Sequence, residues 1–278
     1  MLNKPNKIWL APAKINRFLH ITGQREDGYH ELQTVFQFLD HCDELSFTIR
    51  SDNKILHQNP LAGVKPEDDL TVRAAKLLQH DASATQGVEI SINKRLPMGG
   101  GLGGGSSDAA TTLVALNELW QLNRSTDELA KLGVQLGADV PIFVHGYAAW
   151  AEGVGERLSE IELDEPWFVV VVPSVSVSTA AIFSHPDLPR HCALITQNEF
   201  LSGKGTNVCE LIVREKYPQV EQAIQFLAQF SPARMTGTGA CVFAALDSEQ
   251  KAKKILGQIP AKMTGFIARG KNKSPLYS

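Results

Sequence analysis

An α+β fold in two domains is predicted by three features of the 278-residue sequence. The amino-terminal part places β-branched and aromatic residues between polar turns, as antiparallel strands do. A glycine-rich stretch lies between a segment of period two and a segment of helical spacing. The second half mixes helical segments with short apolar runs. A chain of this length can bury two modest cores, and two domains leave a cleft between them.

In order, segments 8–21, 33–39 and 44–50 are expected as strands of the amino-terminal sheet, and 70–78 as a helix opening after Glu67, Asp68 and Asp69. Val88, Ile90 and Ile92 alternate with Glu89, Ser91 and Asn93, which marks a half-buried strand closed by Pro97. Ser106 to Trp120 is expected as a helix burying Ala109, Leu113, Leu116 and Trp120. A second helix starts at Thr126 and ends near Gly137. The apolar runs 142–151 and 168–172 are expected as buried strands. The acidic, proline-bounded stretch 158–166 is the expected domain junction, giving domains 1–158 and 159–278. Beyond it, helices are expected near 207–216, 220–230 and 248–259, and strands near 241–246 and 265–269.

The net charge is −3 and no block of five or six like charges occurs, so neither a nucleic-acid nor a membrane-surface role has electrostatic support. A small soluble ligand is the expected partner. Cys42, Cys192, Cys209 and Cys241 lie far apart without a C-x-x-C pair, as expected of reduced thiols. The amino-terminal segment lacks a signal-like apolar run, and no run of about 18 apolar residues occurs, so the expected location is cytoplasmic.

Six of the seven residues from Gly99 to Gly105 are glycine, a density that costs backbone entropy and implies close approach to that backbone. A strand running through glycines into a helix gathers free N–H groups at a helix end carrying roughly half a positive charge, which suits a phosphate. The Walker spacing fits from Gly100 to Gly105, but Ser106 stands where the lysine is required. Gly99, Gly101 and Gly104 satisfy G-x-G-x-x-G, yet a helix is expected where the dinucleotide fold needs a second strand with a terminal carboxylate.

Three motifs occur in order: APAKIN from Ala11 to Asn16, PMGGGLGGGSSD from Pro97 to Asp108, and RMTGTGACVFA from Arg234 to Ala244. Together they resemble the GHMP kinases. ITGQREDGYHELQTVFQFLD, LGADVP and the stretch 272–276 are similar to the branch of that family whose acceptor is a cytidine-diphosphate-linked methylerythritol. The resemblance implies a two-domain GHMP kinase architecture with an amino-terminal domain like ribosomal protein S5 and the active site in the cleft. It also implies transfer of the ATP γ-phosphate, with Mg²⁺, to the acceptor's 2-hydroxyl in the non-mevalonate route to isoprenoid precursors.

Resemblance further implies that Pro97, Met98, Gly99, Gly100, Gly101, Leu102, Gly103, Gly104, Gly105, Ser106 and Ser107 hold the nucleotide, with Ser106 or Ser107 toward the metal. Either serine equally suits a helix N-cap, and Asp108 suits the first helical turn. Lys94 and Arg95 could reach phosphates or only cover a strand edge. Asp139, which by spacing alone could cap a turn, matches the catalytic aspartate, and Lys14 its partner. Tyr29 and His30 match a cytidine-binding pair, with Phe183 as the opposite ring and Asn16 and Thr179 as further substrate contacts. The third motif either makes a tight turn or closes near the phosphates or the substrate. Asp69 stands where some relatives carry Asn near the adenine.

Overall fold

The computed structural model describes residues 7–278; the first six, part of the segment searched above for a leader, lie outside the described residues. The strands β1 (Trp9–Gln24) and β2 (His30–Arg50) form a long antiparallel pair. The two strands expected at 33–39 and 44–50 are thus one. The polar residues between them mimic a turn, but Asp43 is fully buried and its carboxylate accepts the amides of Arg95 and Leu96, so the strand runs on without a polar penalty.

Then follow β3 (Ile55–His57), α1 (Leu70–Asp81) and β4 (Gly87–Asn93), the last pairing with β2. The helix α2 (Gly104–Leu119) begins two residues before the expected start, and its N-cap is Gly103 at φ +73°, not a serine. The helix α3 (Thr126–Val134) is closed at its start by a Ser125–Glu128 capping box.

At 142–151 the expected single strand is instead a short helix, α4 (Val140–His145), followed by β5 (Ala149–Glu152). A brief apolar run does not by itself distinguish a buried strand from a buried helix. Pro141 in the first turn and Gly146 at φ +74° just past the end are the punctuation that decides for helix. The strand β6 (Arg157–Glu160) pairs with β5, and β7 (Trp167–Pro173) follows as expected.

The remainder comprises α5 (Thr179–Phe183), α6 (Gln197–Leu201), α7 (Glu210–Lys216), α8 (Pro218–Ala228), β8 (Ala233–Met235), β9 (Val242–Leu246), α9 (Glu249–Leu256) and β10 (Met263–Lys271). Of these, α5, α6 and β8 were not anticipated; each spans five residues or fewer, too few for a period to register. Among the described residues one ten-stranded sheet runs β3-β4-β2-β10-β7-β9-β8, with β1 and β5 also on β2 and β6 on β5.

Two cores result. Phe36, Phe38, Leu45 and Phe47 of β2 pack with Leu78, Leu113, Leu116, Leu129 and Phe143 from α1 to α4. Val169, Val171, Val242 and Ala244 pack with Val213, Ile224, Leu227 and Ile255 from α7 to α9. Between them a third cluster gathers Ala13 and Ile15 of β1, Leu102 of the glycine loop, Phe168, Val170, Cys241 and Phe243. Leu102 is 1% exposed, and burying such a side chain contributes about 2 kcal/mol, so one apolar anchor holds the glycines against both halves. No helix among the described residues is long and apolar enough to cross a membrane.

Candidate active site

The sheet positions Lys14 first. Along β1, Ala13 and Ile15 enter the central core while Lys14 and Asn16 alternate to the other side. Lys14 is only 4% exposed in its side chain, and a buried ammonium persists only where partners replace water. Its Nζ lies 3.2 Å from the Asp139 carboxylate and donates to Asn16 Oδ1 at 2.8 Å and to the Gly101 carbonyl at 3.1 Å. Phe36 closes one side at 5.4 Å from ring centre to Nζ.

Asp139 precedes α4 but forms no capping bond with it. The turn-capping reading therefore fails, and the carboxylate is left to Lys14 and the cavity, 34% exposed. Asn16 is held on both sides, since its Nδ2 donates to Thr34 Oγ1 and its amide to Thr236 Oγ1.

The glycine loop has a division of labour. The carbonyls of Gly100, Gly101 and Leu102 accept from Cys241 N, from Thr236 Oγ1 and Lys14 Nζ, and from Lys14 N. The amides from Gly99 to Ser106 donate to no acceptor among the described residues. Free donors at the start of α2 thus face a cavity of about 330 Å³ lined by Pro97 through Ser106, Lys94, Asp69 and Asp108. Ser107 stands apart: it is wholly buried, its hydroxyl has no partner among the described residues, and it lines neither this cavity nor its neighbour.

Under the loop, Lys94 bridges two buried carboxylates, Asp43 at 2.5 Å and Asp108 at 2.6 Å. Burial pushes Asp108 up to about 7 despite the Lys94 ammonium, and the Asp43 charge adds to the rise. The two carboxylates outweigh burial at Lys94 and raise its pKa. Lys94 does more than cover a strand edge. Asp69 caps α1 through Thr71 and Val72 and binds His57 Nδ1 at 2.6 Å. Burial opposes its charge, but the bonds from His57 and Thr71 carry it down to about 2.

A larger cavity, about 840 Å³, adjoins the first; Gly101, Gly103 and Ser106 line both. It gathers Lys14, Asn16, Tyr29, His30, Asp139, Thr179 and Phe183 from both halves of the chain. Tyr29 rises from the β1–β2 turn, 64% exposed, and His30 stacks on Phe183 with centroids 5.1 Å apart. Thr179 Oγ1 shares a 2.9 Å hydrogen bond with Thr238 of the third motif, whose Gly237 and Thr238 line the cavity. Sequence reasoning missed Thr34, Phe36 and Arg190 here. Arg190 is an isolated arginine in a loop, and no local pattern could have selected it.

The third motif packs tightly against the loop. A Cβ at Gly101, where φ is +78°, would lie 2.4 Å from the Thr236 carbonyl oxygen. We expect Gly101→Ala to raise the ATP KM by tenfold or more, since left-handed strain of about 1–3 kcal/mol adds to a backbone collision. Gly63→Ala has the same φ of +78° in open space and separates strain from collision. Steady-state titration of ATP reads both variants.

Residues 69–147 match the GHMP kinases N terminal domain, and residues 181–265 match GHMP kinases C terminal. A 4-diphosphocytidyl-2-C-methyl-D-erythritol kinase from Nitrosococcus oceani is 56% identical over 97% of this chain and 96% of its own length. One from Tolumonas auensis is 53% identical over 100% of this chain and 97% of its own. Among solved structures, a 4-(cytidine 5'-diphospho)-2C-methyl-D-erythritol kinase aligns with a TM-score of 0.80 at 32% identity, covering 95% of this chain and 99% of its own. The mevalonate kinase of Methanococcus jannaschii shares the fold, with a TM-score of 0.72 at 18% identity over 97% of this chain and 100% of its own. Two matching domain models and relatives 53–56% identical over nearly the whole chain make the protein an ATP-using small-molecule kinase, and the chain belongs to the GHMP kinase family.

Proposed function

We propose that the chain phosphorylates 4-diphosphocytidyl-2-C-methyl-D-erythritol, the compound its relatives' names carry, on its 2-hydroxyl and within the non-mevalonate route to isoprenoid precursors. The observation that carries this reading is the Lys14–Asp139 pair in the larger cavity, next to the glycines shared with the smaller one. ATP occupies the smaller cavity, its phosphates on the free amides of the loop at the start of α2. The acceptor occupies the larger one.

Asp139 orients the acceptor hydroxyl and takes its proton as the oxygen attacks the γ-phosphorus and ADP leaves. Lys14, fixed by Asn16 and the Gly101 carbonyl, stabilises negative charge on the attacking oxygen and the transferring phosphoryl group. Phosphoryl transfer depends largely on such positioning and electrostatics. Tyr29 stacks on the cytosine, Phe183 faces it from the second half of the chain, and Asn16 and Thr179 bound the acceptor's remainder.

Among the described residues no group of three or more His, Cys, Asp or Glu could hold a metal ion. Mg²⁺ bound with ATP would be held largely by phosphate oxygens and water, with few protein ligands. Ser106, which lines both cavities, would be the serine to contribute, whereas Ser107 is buried in α2 and lines neither. When bound, the ion neutralises charge on the β- and γ-phosphates.

Tyr29→Ala tests the acceptor assignment, because so exposed a ring can be removed without disturbing a core. Loss of one stacking contact, worth roughly 1–3 kcal/mol, should raise the acceptor KM about 5- to 150-fold and leave the ATP KM within about twofold. Equal losses for both ligands would sink it.

A further inference from the structure

Arg190 lines the larger cavity, and all five of its N–H donors are engaged. Nε donates to His30 Nε2 at 3.2 Å. Nη1 donates to the Leu188 carbonyl at 3.2 Å and the Pro186 carbonyl at 3.4 Å. Nη2 donates to the His185 carbonyl at 2.8 Å and the Phe183 carbonyl at 3.0 Å. The guanidinium thus fixes the turn after α5 and ties it to a ring at the start of β2, across 160 positions of sequence.

A guanidinium only donates and keeps its charge. His30 Nε2 must therefore present its lone pair, so the ring is neutral and carries its proton on Nδ1. Free imidazole side chains do not have this choice made for them. Nδ1–H has no partner among the described residues, while the ring itself is stacked on Phe183 at an interplanar angle of 26°. Burial first, and the Arg190 charge second, also hold His30 below the usual imidazole range.

We propose that Arg190 is a positioning residue of the acceptor site: it fixes His30 as the Nδ1–H tautomer on Phe183 and so gives the cavity one aimed donor for an acceptor atom of the nucleoside. The inference rests on the cytidine reading above. Cytosine offers such acceptors at O2 and N3. Arg190 touches no reacting atom, so its loss weakens acceptor binding and leaves the Lys14–Asp139 chemistry intact.

The test combines kinetics with ¹⁵N NMR of the histidine-labelled, ligand-free protein near pH 7.5, His30 being assigned with His30→Asn. The expected native spectrum has a protonated Nδ1 and an unprotonated Nε2 at His30. In Arg190→Met the proton should move to Nε2 or exchange between the two, the acceptor KM should rise about tenfold, as for loss of a charged hydrogen bond, and kcat and the ATP KM should stay within about twofold. Arg190→Lys should restore the tautomer only in part, since one ammonium cannot hold four carbonyls and the ring. A native Nε2–H tautomer, or one unchanged in Arg190→Met, overturns the proposal; so does a loss spread equally over kcat and both KM values with a lowered Tm. If the cytidine-linked acceptor is not a substrate at all, the function reading fails, while the NMR result still decides the role of Arg190.

Discussion

Asp139→Asn is expected to retain ATP binding and to lower kcat by about 10²- to 10⁴-fold, the range for a positioned acid–base group. The substitution keeps the size of the side chain and removes its charge and basicity. The fold should tolerate it, because the carboxylate is 34% exposed and makes no capping bond that α4 would lose. What changes is the Lys14 ion pair and the acceptor of the substrate proton. Single-turnover measurement separates the two expected signatures: an unchanged dependence on ATP concentration and a slower transfer step. Turnover within about threefold of the native rate would show that the hydroxyl needs no base at this position.

Lys14→Met should cost about 10²- to 10³-fold in kcat, the usual loss when one preorganised electrostatic donor is removed from developing negative charge. Methionine retains length and apolar bulk in a side chain that is 4% exposed, so the site need not collapse. Gly103 makes the geometry strict: a Cβ there would come within 3.1 Å of Lys14 Cε and 2.8 Å of the Phe143 ring. The lysine stem runs through a gap that only glycine leaves. With Lys14 and Asp139 acting on one oxygen, as proposed, the double variant should lose little more than the worse single one. Multiplied losses would show that the two residues serve separate steps.

The glycine loop at the start of α2 was legible because glycine density is a local property of sequence. Lys14 and Asp139 are 125 residues apart by number, and spacing alone left each with an ordinary alternative; motif resemblance paired them, and the fold brings them to 3.2 Å. The helix at Val140–His145 was misread because IFV is as apolar as a buried strand, although Pro141 and Gly146 carried the correction. Asp43 shows the converse failure. A buried carboxylate within a strand looks like a turn until its partners, Lys94 and the amides of Arg95 and Leu96, are known. Arg190 has no sequence signal whatever, since its function is to join carbonyls of a loop to a distant ring.

Gly101 and the third motif show why the site is assembled by long-range contacts. Thr236 Oγ1 receives the Asn16 amide and also reaches the Gly101 carbonyl at 3.2 Å, so three motifs distant in sequence meet at one hydroxyl. Each motif alone admits a structural explanation.

The central claim is tested most directly by measuring ADP release from the purified chain with ATP and Mg²⁺, offering 4-diphosphocytidyl-2-C-methyl-D-erythritol, mevalonate and homoserine in parallel. The account predicts turnover of the cytidine-linked acceptor, with a new phosphomonoester on its 2-hydroxyl, and rates at the level of ATP hydrolysis for the other two. Faster turnover of mevalonate or homoserine would contradict it.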